Sequence, residues 1–384
     1  MSQKTLVYFA PVGEGGLSIY AAQQVAAIAA CGVRVHVIGS KSVVRRLPSS
    51  PLIEVQELPE SEPGKSRVSR GLAFVRQAVS QVKELVASVR RVNAPAVLIS
   101  AYSEYFSPMW AGSLRRLHRQ GTRFGVIVHD PQRDFVVGPR LWHEFSVSQA
   151  YSFIDVAFVH GEGPIDTGRP SRQLHRVTIR HGLLDTSDQL GKADRGKHRA
   201  EFGLPSEAPV LLSFGHIRDG KNLDLIIRAL AQFPEAHLLV VGREQSGAQR
   251  PIAEYHALAE EVGVAGRCHW VHDFVPDEDV FSYFDASDIA MITYSREFCS
   301  ASGVLSAAVR FERRVVASAG GGPLQPDVEE YHLGTFCEPD CEKALAVAIR
   351  SELENPSQPQ WERYRRDHSW EANAQTCLAE LGVV

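Results

Sequence analysis

The chain has 384 residues, of which 44% are hydrophobic and 22% charged, so the composition does not indicate disorder and two globular domains fit the length. No basic start precedes an apolar secretion-signal core, and no run of about 18 apolar residues occurs, so we expect a cytoplasmic protein without a membrane span. The net charge of −4 is uneven: residues 1–190 hold 22 Lys and Arg against 15 Asp and Glu, which gives +7 there and −11 in the remainder. The basic half predicts an anionic ligand or surface for one domain, although solvation alone commonly explains such an excess.

The cysteines do not indicate a metal site. Six are present, and the only close pair, Cys337 and Cys341, has no further Cys or His at metal-ligand spacing. We therefore expect free thiols at positions 31, 268, 299, 337, 341 and 377.

The N-terminal half begins with a predicted strand, a glycine loop and a helix. The apolar run TLVYFA (residues 5–10) is followed by Gly13, Gly15 and Gly16 and by an Ala-rich helix predicted from Leu17 to Gly32. The segment VRVHVIGS then returns as a strand. This βαβ pattern lacks the full GxGxxG spacing, so it indicates a parallel sheet more strongly than a nucleotide site.

A basic amphipathic helix is predicted over residues 66–92. Its apolar positions form one face, and its cations are Arg67, Arg70, Arg76, Lys83, Arg90 and Arg91. Two interpretations stay open: the helix binds an anionic membrane surface, or it is an ordinary helix that covers the sheet.

His129 is a candidate site residue. It follows the predicted strand FGVIV, and ligands of open α/β sheets bind beyond the carboxyl ends of the strands. A structural histidine is the alternative.

The domain boundary is predicted between residues 190 and 191, within a segment that is rich in Gly, Asp and Lys and has little apolar periodicity. Strands and helices alternate on both sides of it. The pattern predicts an α/β protein with two doubly wound parallel sheets facing one another across a cleft. The expected domains are 1–190 and 191–361, with a C-terminal helix over 362–384 packing back on the first.

An anion-binding strand, loop and helix are predicted over residues 210–230. The apolar strand VLLSF stops at Gly215, the loop holds Arg218 and Lys221, and Asn222 is expected to cap the following helix. Two cations beside free helical N–H groups favour a diphosphate ligand. Two solvated loop cations are the competing interpretation.

A second helix start of this kind lies in the segment SASGVLSAAVR. Ser302 is a predicted N-cap, and the amides of Gly303 and Val304 would then be open to phosphate oxygens. The alternative is a tight helix start with no ligand.

Taken in order, these segments resemble family 4 of the retaining glycosyltransferases, which have the GT-B fold of two Rossmann-like domains. The motifs that carry the resemblance are GEGGLSIYA, VIVHD, IRHGL, FGHIRDGKN, LLVVG, DASDIAMI, SGVLSAAVRFERRVVAS with the glycines after it, and HSW near the end. The ordered set is fairly specific, while no single motif is.

The resemblance implies roles for individual residues. Arg218 and Lys221 would hold the donor diphosphate, Gly15 and Gly16 would close over it, and His129 would lie near the transferred sugar. The implied catalytic residues are His129, Arg218 and Lys221, and no metal or cofactor is implied. The implied donor-binding set is Gly15, Gly16, Gly215, Arg218, Lys221, Ser302, Gly303 and Val304.

One departure from the family concerns ribose recognition. The family usually has two glutamates eight positions apart near the second phosphate-binding helix, and Cys299 and Ala307 stand at those places here. Either the ribose is held differently, which we favour, or activity is lost.

The implied function is transfer of a sugar, of the hexosyltransferase type, from a nucleotide diphosphate sugar to a glycan or lipid-linked acceptor with retained configuration. Polysaccharide or glycoconjugate biosynthesis would be the setting, with peripheral contact at the inner membrane face and no nucleic-acid partner. A GT-B sugar-nucleotide epimerase and a non-catalytic nucleotide-sugar-binding protein are the alternatives.

Overall fold

A computed structural model describes residues 4–11, 16–59, 67–131, 136, 138–161, 164–168, 174–183, 193–244 and 249–383, without the side chains of residues 67–70 and 72. The chain divides into two compact units. The first unit comprises residues 1–184 and 368–384, and the second comprises residues 185–367.

The first unit is built on a seven-stranded sheet in which every pairing is parallel. In the strand order β3-β2-β1-β4-β5-β6-β7, β2 and β3 lie on one side of β1 and the later strands lie on the other side. The strands are β1 (Thr5–Ala10), β2 (Arg34–Gly39), β3 (Ile53–Glu57), β4 (Ala96–Ile99), β5 (Arg123–Val128), β6 (Val156–Val159) and β7 (His175–Thr178).

Helices cover both faces of this sheet. They are α1 (Gly16–Ala30), α2 (Lys41–Val44), α3 (Arg67–Val92), α4 (Ala111–Arg119) and α5 (Arg140–Ala150), with a 3₁₀ turn at Ser107–Met109 and a returning C-terminal helix. Successive residues of a strand point to opposite faces. Val7 and Phe9 therefore join one core with α3, α4 and α5, while Leu6, Tyr8 and Ala10 join the other with α1.

The predicted basic helix forms as α3. Its buried positions recur at helical spacing and pack on the sheet, at Ala78, Val82, Leu85 and Val89. Its exposed positions carry the cations Arg76, Lys83, Arg90 and Arg91. The helix therefore covers the sheet and also presents a basic face to solvent.

The second unit is built on a six-stranded parallel sheet with the order β10-β9-β8-β11-β12-β13. Its strands are β8 (Val210–Phe214), β9 (His237–Val241), β10 (Cys268–Val271), β11 (Ile289–Thr293), β12 (Arg314–Ser318) and β13 (Gly334–Phe336). The first six strands of each unit thus follow the doubly wound order 3-2-1-4-5-6.

Eight helices of the second unit lie among its described residues: α6 (Arg195–Glu201), α7 (Leu223–Leu230), α8 (Ile252–Glu261), α9 (Val280–Ala286), α10 (Gly303–Arg310), α11 (Leu324–Glu330), α12 (Glu342–Glu354) and α13 (Trp361–Asp367). Short 3₁₀ turns occur at Asp219–Lys221, Ala265–Arg267 and Asp277–Asp279. The apolar residues of α7, including Ile226, Ile227 and Leu230, are completely buried against β8 and its neighbours.

The C-terminal segment differs from the single helix predicted over 362–384. Helix α13 belongs to the second unit, and only α14 (Trp370–Glu380) returns to the first. There the Gln24 side chain donates to Asn373 Oδ1 at 2.7 Å, and Trp370 Nε1 donates to the Leu183 carbonyl at 2.7 Å. The predicted boundary between residues 190 and 191 falls outside the described residues.

Two further expectations concern cysteines and membranes. All six cysteines are free thiols, as predicted. Within the described ranges, no helix combines the length and the apolarity that crossing a membrane requires.

Candidate functional site

The strand order of the second sheet reverses between β8 and β11, and this topological switch point lies at the carboxyl edge of the sheet. These strands are neighbours in the sheet, yet the sheet grows outward from them in opposite directions. At such a switch point the loops that follow the two strands separate, and ligands of doubly wound sheets bind there. The two loops are residues 215–222, which we call the cation loop, and residues 294–302, which we call the aromatic loop.

Lys221 anchors the cation loop under the end of β8. Its Nζ donates a hydrogen bond to the Phe214 carbonyl at 2.6 Å. Gly215 has a φ of +90°, and a Cβ placed on it would lie 3.1 Å from Lys221 Nζ and 4.0 Å from Val304 Cγ2. Only glycine adopts this backbone without strain, so the sequence choice at 215 lets the lysine amine and the start of α10 approach each other.

The cation loop brings several basic groups close together. Burial, followed by the repulsion of Arg218, lowers the pKa of Lys221 to about 7. The pKa of His216 is also lowered by burial and then by three cations, Lys221, Arg243 and Arg218. Like charges disfavour the protonated form of each group, so an anion placed among them would relieve the repulsion.

His216 and Arg243 were not among the predicted site residues. His216 follows Gly215 and precedes Arg218 by two residues in the motif FGHIRDGKN, so its position after the strand was an available signal. Arg243 follows Gly242 at the end of β9, a neighbour of β8, and its proximity depends on strand order. A Cβ on Gly242 would lie 2.1 Å from the Gly215 carbonyl oxygen, so this glycine lets the two loops approach closely.

Arg218 is oriented by the aromatic loop. Its guanidinium carbon lies 5.8 Å from the centre of the Phe298 ring, which itself stacks on Tyr294 at 3.9 Å. The Tyr294 hydroxyl is 2.9 Å from Ser302 Oγ. A chain of contacts therefore joins Arg218 to the first residue before α10.

Ser302 caps α10 as predicted. Its backbone is extended, and its Oγ accepts a hydrogen bond from the Leu305 N–H at 3.2 Å. The first N–H groups of a helix have no carbonyl partner within the helix, so those of Gly303 and Val304 remain suited to an anion. The structure thus brings Gly215, Lys221 and Val304 together, with Ser302 and Gly303 adjoining Val304.

The predicted cap by Asn222 is wrong. Asn222 occupies the N-cap position of α7, but its backbone is left-handed, with φ 53° and ψ 35°, and its side chain caps nothing in the helix. The side-chain amide instead donates to Asp340 Oδ1 at 2.9 Å. A tertiary partner has therefore replaced the local bond that the sequence suggested.

The first unit holds the remaining predicted residues that the structure describes. His129 follows β5, and its ring contacts Tyr20 with ring centres 4.8 Å apart. Burial lowers the pKa of His129 to about 4, while a hydrogen bond to the Ser100 backbone acts in the opposite direction. Gly16 opens α1 and is exposed, whereas Gly15 lies outside the described residues.

Two more histidines lie beside His129, and neither was a predicted site residue, although His181 belongs to the motif IRHGL. His160 and His181 both contact the Tyr20 ring, at 5.4 and 5.0 Å between centres. The Nε2 atoms of His129 and His160 are buried and have no hydrogen-bond partner among the described residues. Among all the residues that the structure describes, no group of three His, Cys, Asp or Glu side chains is placed to hold a metal ion.

Comparison with known families identifies the region that contains both loops. Residues 194–375 match the family described as glycosyl transferases group 1. This match spans most of the second unit and continues into α14, and it shows that this region is similar to group 1 glycosyltransferases.

Curated relatives give a similar result over part of the chain. The D-inositol 3-phosphate glycosyltransferase of Mycobacteroides abscessus is 27% identical over 212 residues, which is 54% of this chain and 46% of that protein. The enzyme of the same name from Xylanimonas cellulosilytica is 32% identical over 124 residues, covering 32% and 29%. The chain thus spans less than half the length of these relatives.

Solved structures resemble the whole chain. The Anabaena protein HepE, in complex with UDP and glucose, has a TM-score of 0.71 at 17% identity, with complete coverage of both chains. Sucrose-phosphate synthase from Thermosynechococcus elongatus has a TM-score of 0.70 at 20% identity and covers 98% of this chain and 97% of its own. At these identities the likeness concerns the fold, and it confirms the predicted GT-B class of two Rossmann-like domains.

Proposed function

We propose that the protein transfers a sugar from a nucleotide diphosphate sugar to a glycan or lipid-linked acceptor, with the anomeric configuration retained. The observation that carries the proposal is the set of basic groups at the switch point of the second unit, where Arg218 lies over the Phe298 ring and Lys221 lies near Gly215 and the start of α10. Fixed cations and helical N–H groups act on a diphosphate in the same direction.

The cation loop would contribute mainly by stabilising the leaving group. As the bond between the anomeric carbon and the diphosphate breaks and the acceptor hydroxyl oxygen bonds to that carbon, negative charge grows on the departing phosphate, which takes up the hydroxyl proton. Donors that are already in place stabilise this charge without reorganisation, and removing one such donor typically costs about 10²-fold in turnover. Lys221 is held by the Phe214 carbonyl, so its amine is oriented before the donor arrives.

His129 suits the sugar more than the phosphate. A pKa of about 4 leaves its imidazole neutral at pH 7, and its Nε2 has no partner among the described residues. A neutral ring nitrogen can bond a sugar hydroxyl, whereas it offers a phosphate no charge.

UDP is the first donor nucleotide to test. The structure of HepE was solved with UDP and with UDP-glucose, and this is the reason for testing UDP first. The ribose would be held differently from the resembled family, since Cys299 and Ala307 occupy the positions where that family has glutamates.

The acceptor side is proposed to include peripheral contact with an anionic membrane. The exposed face of α3 carries Arg76, Lys83, Arg90 and Arg91. Phe74, on the same helix, is 44% exposed. Cations with nearby apolar side chains are typical of surfaces that bind anionic bilayers reversibly.

A two-part experiment tests the proposal. Thermal-shift and calorimetric titration with UDP, GDP and ADP, and then with their sugars, would identify the donor nucleotide. Release of nucleoside diphosphate is then measured with and without D-inositol 3-phosphate and glycan acceptors. Acceptor-dependent release is the expected result; a sugar isomerised without an acceptor favours the epimerase, and binding without turnover favours a non-catalytic protein.

A further inference from the structure

The cation loop and the aromatic loop are joined directly beside the proposed diphosphate site. Thr293 Oγ1 donates to the Lys221 carbonyl at 2.9 Å, and the Ser295 N–H donates to the Gly220 carbonyl at 2.9 Å. The two loops come from different strands, so their spacing depends on such links. A phosphate held by both loops would respond to any change in that spacing.

Asp340 links the same two loops from a third loop. It precedes α12, and its Oδ1 accepts the hydrogen bond from Asn222 Nδ2 at 2.9 Å. Its Oδ2 accepts a hydrogen bond from the Arg296 N–H at 3.0 Å. One carboxylate thus reaches the end of the cation loop with one oxygen and the middle of the aromatic loop with the other.

Asp340 and its two partners are also constrained by their own backbones. Asn222 and Asp340 have positive φ values of 53° and 59°, a backbone region that costs free energy for residues other than glycine. At Arg296, the carbonyl oxygen is covered by the backbone of Gly320, where an added Cβ would lie only 1.9 Å away. Such backbone conformations persist where surrounding contacts hold them in place, and the hydrogen bonds of Asp340 are among those contacts.

We infer that Asp340 is a positioning residue of the proposed diphosphate site. Its carboxylate sets the distance between the cations of the cation loop and the N-terminus of α10, and it does so through Asn222 and Arg296. A carboxylate in direct contact with a diphosphate would repel it, so the indirect role is the one that suits its charge. The inference rests on the proposed function.

The test is calorimetric titration with inorganic pyrophosphate, which needs no knowledge of the base or sugar. We expect Asp340→Ala to raise the pyrophosphate Kd about tenfold, the effect of losing roughly one net charge-assisted hydrogen bond. Asp340→Asn keeps one acceptor oxygen, so we expect an intermediate Kd. The thermal midpoint without ligand is measured for each variant, so that weakened binding is separated from unfolding.

Glu338→Ala is the matched control. Glu338 lies two residues away and pairs with the Arg296 side chain at 3.6 Å, with both side chains 66% exposed. The variant removes an exposed ion pair from the same loop and leaves the Asp340 bonds in place, so its Kd should equal that of the wild type.

Three outcomes decide the matter. An unchanged Kd in Asp340→Ala, or an equal loss in Glu338→Ala, overturns the positioning role. If the Ala variant fails to fold, an unchanged Kd in Asp340→Asn overturns it as well. A wild-type protein that binds neither pyrophosphate nor any nucleoside diphosphate overturns the proposed function, and the inference falls with it.

Discussion

Nucleotide binding should weaken as the pH rises from 7 to 9, because Lys221 loses its proton in the free protein within this range. Burial and Arg218 lower the pKa of its amine to about 7 when the site holds no anion. A diphosphate beside the amine favours the charged form and raises that pKa again. Binding therefore takes up a proton above pH 7, and affinity falls with increasing pH.

The expected size follows from the fraction of protonated lysine. Half of the amines are protonated at pH 7 and about one in a hundred at pH 9, so the apparent Kd should rise about 50-fold over this range. The dependence should level off above the raised pKa of the complex and below pH 6, where the amine is protonated in both states. The pKa of His216 in the free protein is also lowered, by burial and by the neighbouring cations, so the Lys221→Met variant is needed to assign the slope to the lysine.

The assay is calorimetric titration of UDP at pH 6.5 to 9.5, in two buffers with different ionisation enthalpies, so that proton uptake is measured directly. Lys221→Met is the control: it should bind UDP more weakly at pH 7 and show no slope between pH 7 and 9. A flat profile in the wild type, or the same slope in the Met variant, would refute the assignment of the proton to Lys221.

Three further predictions address the site and the surface. Arg218→Ala should weaken nucleotide binding by about 1.5–3 kcal/mol, the range for a hydrogen bond to a charged group, and unchanged affinity in titration would remove Arg218 from the donor site. His129→Ala should lower turnover and leave nucleotide affinity nearly intact; a loss of affinity with normal turnover would instead make His129 a donor ligand. The protein should cosediment with vesicles of anionic lipid at low salt and be released at about 0.5 M salt, where the screening length falls well below 10 Å. Binding that is absent at low salt, or equal on neutral lipid, would contradict the membrane contact.

The fold could be predicted because its signals are local. The runs at Thr5–Ala10, Val210–Phe214 and His237–Val241 are short and apolar, and each is followed by a residue that ends a strand. A helix with the expected apolar spacing follows each of the first two runs, at α1 and α7. Because strands and helices alternate regularly along the chain, few fold topologies other than doubly wound parallel sheets are compatible with the sequence.

The site was predictable only where its contacts are local. The cap by Ser302 depends on Leu305, three residues away, and the sequence pattern contains both. The Asn222 bond depends on Asp340, 118 residues away, and no local rule contains that partner. The approach of Arg243 and the division of the C-terminal segment between the units likewise depend on tertiary contacts.

The return of α14 to the first unit has a consequence for the order in which the chain matures. The hydrogen bond between Gln24 and Asn373 joins residues 349 positions apart in the chain. Helix α1 therefore cannot pack against α14 until the whole second unit has been synthesised. The second unit is one continuous stretch, and domains fold as units as they emerge during synthesis. The first unit therefore begins to fold early and is completed last, and until then the apolar surface of α1 that α14 covers requires protection from other chains.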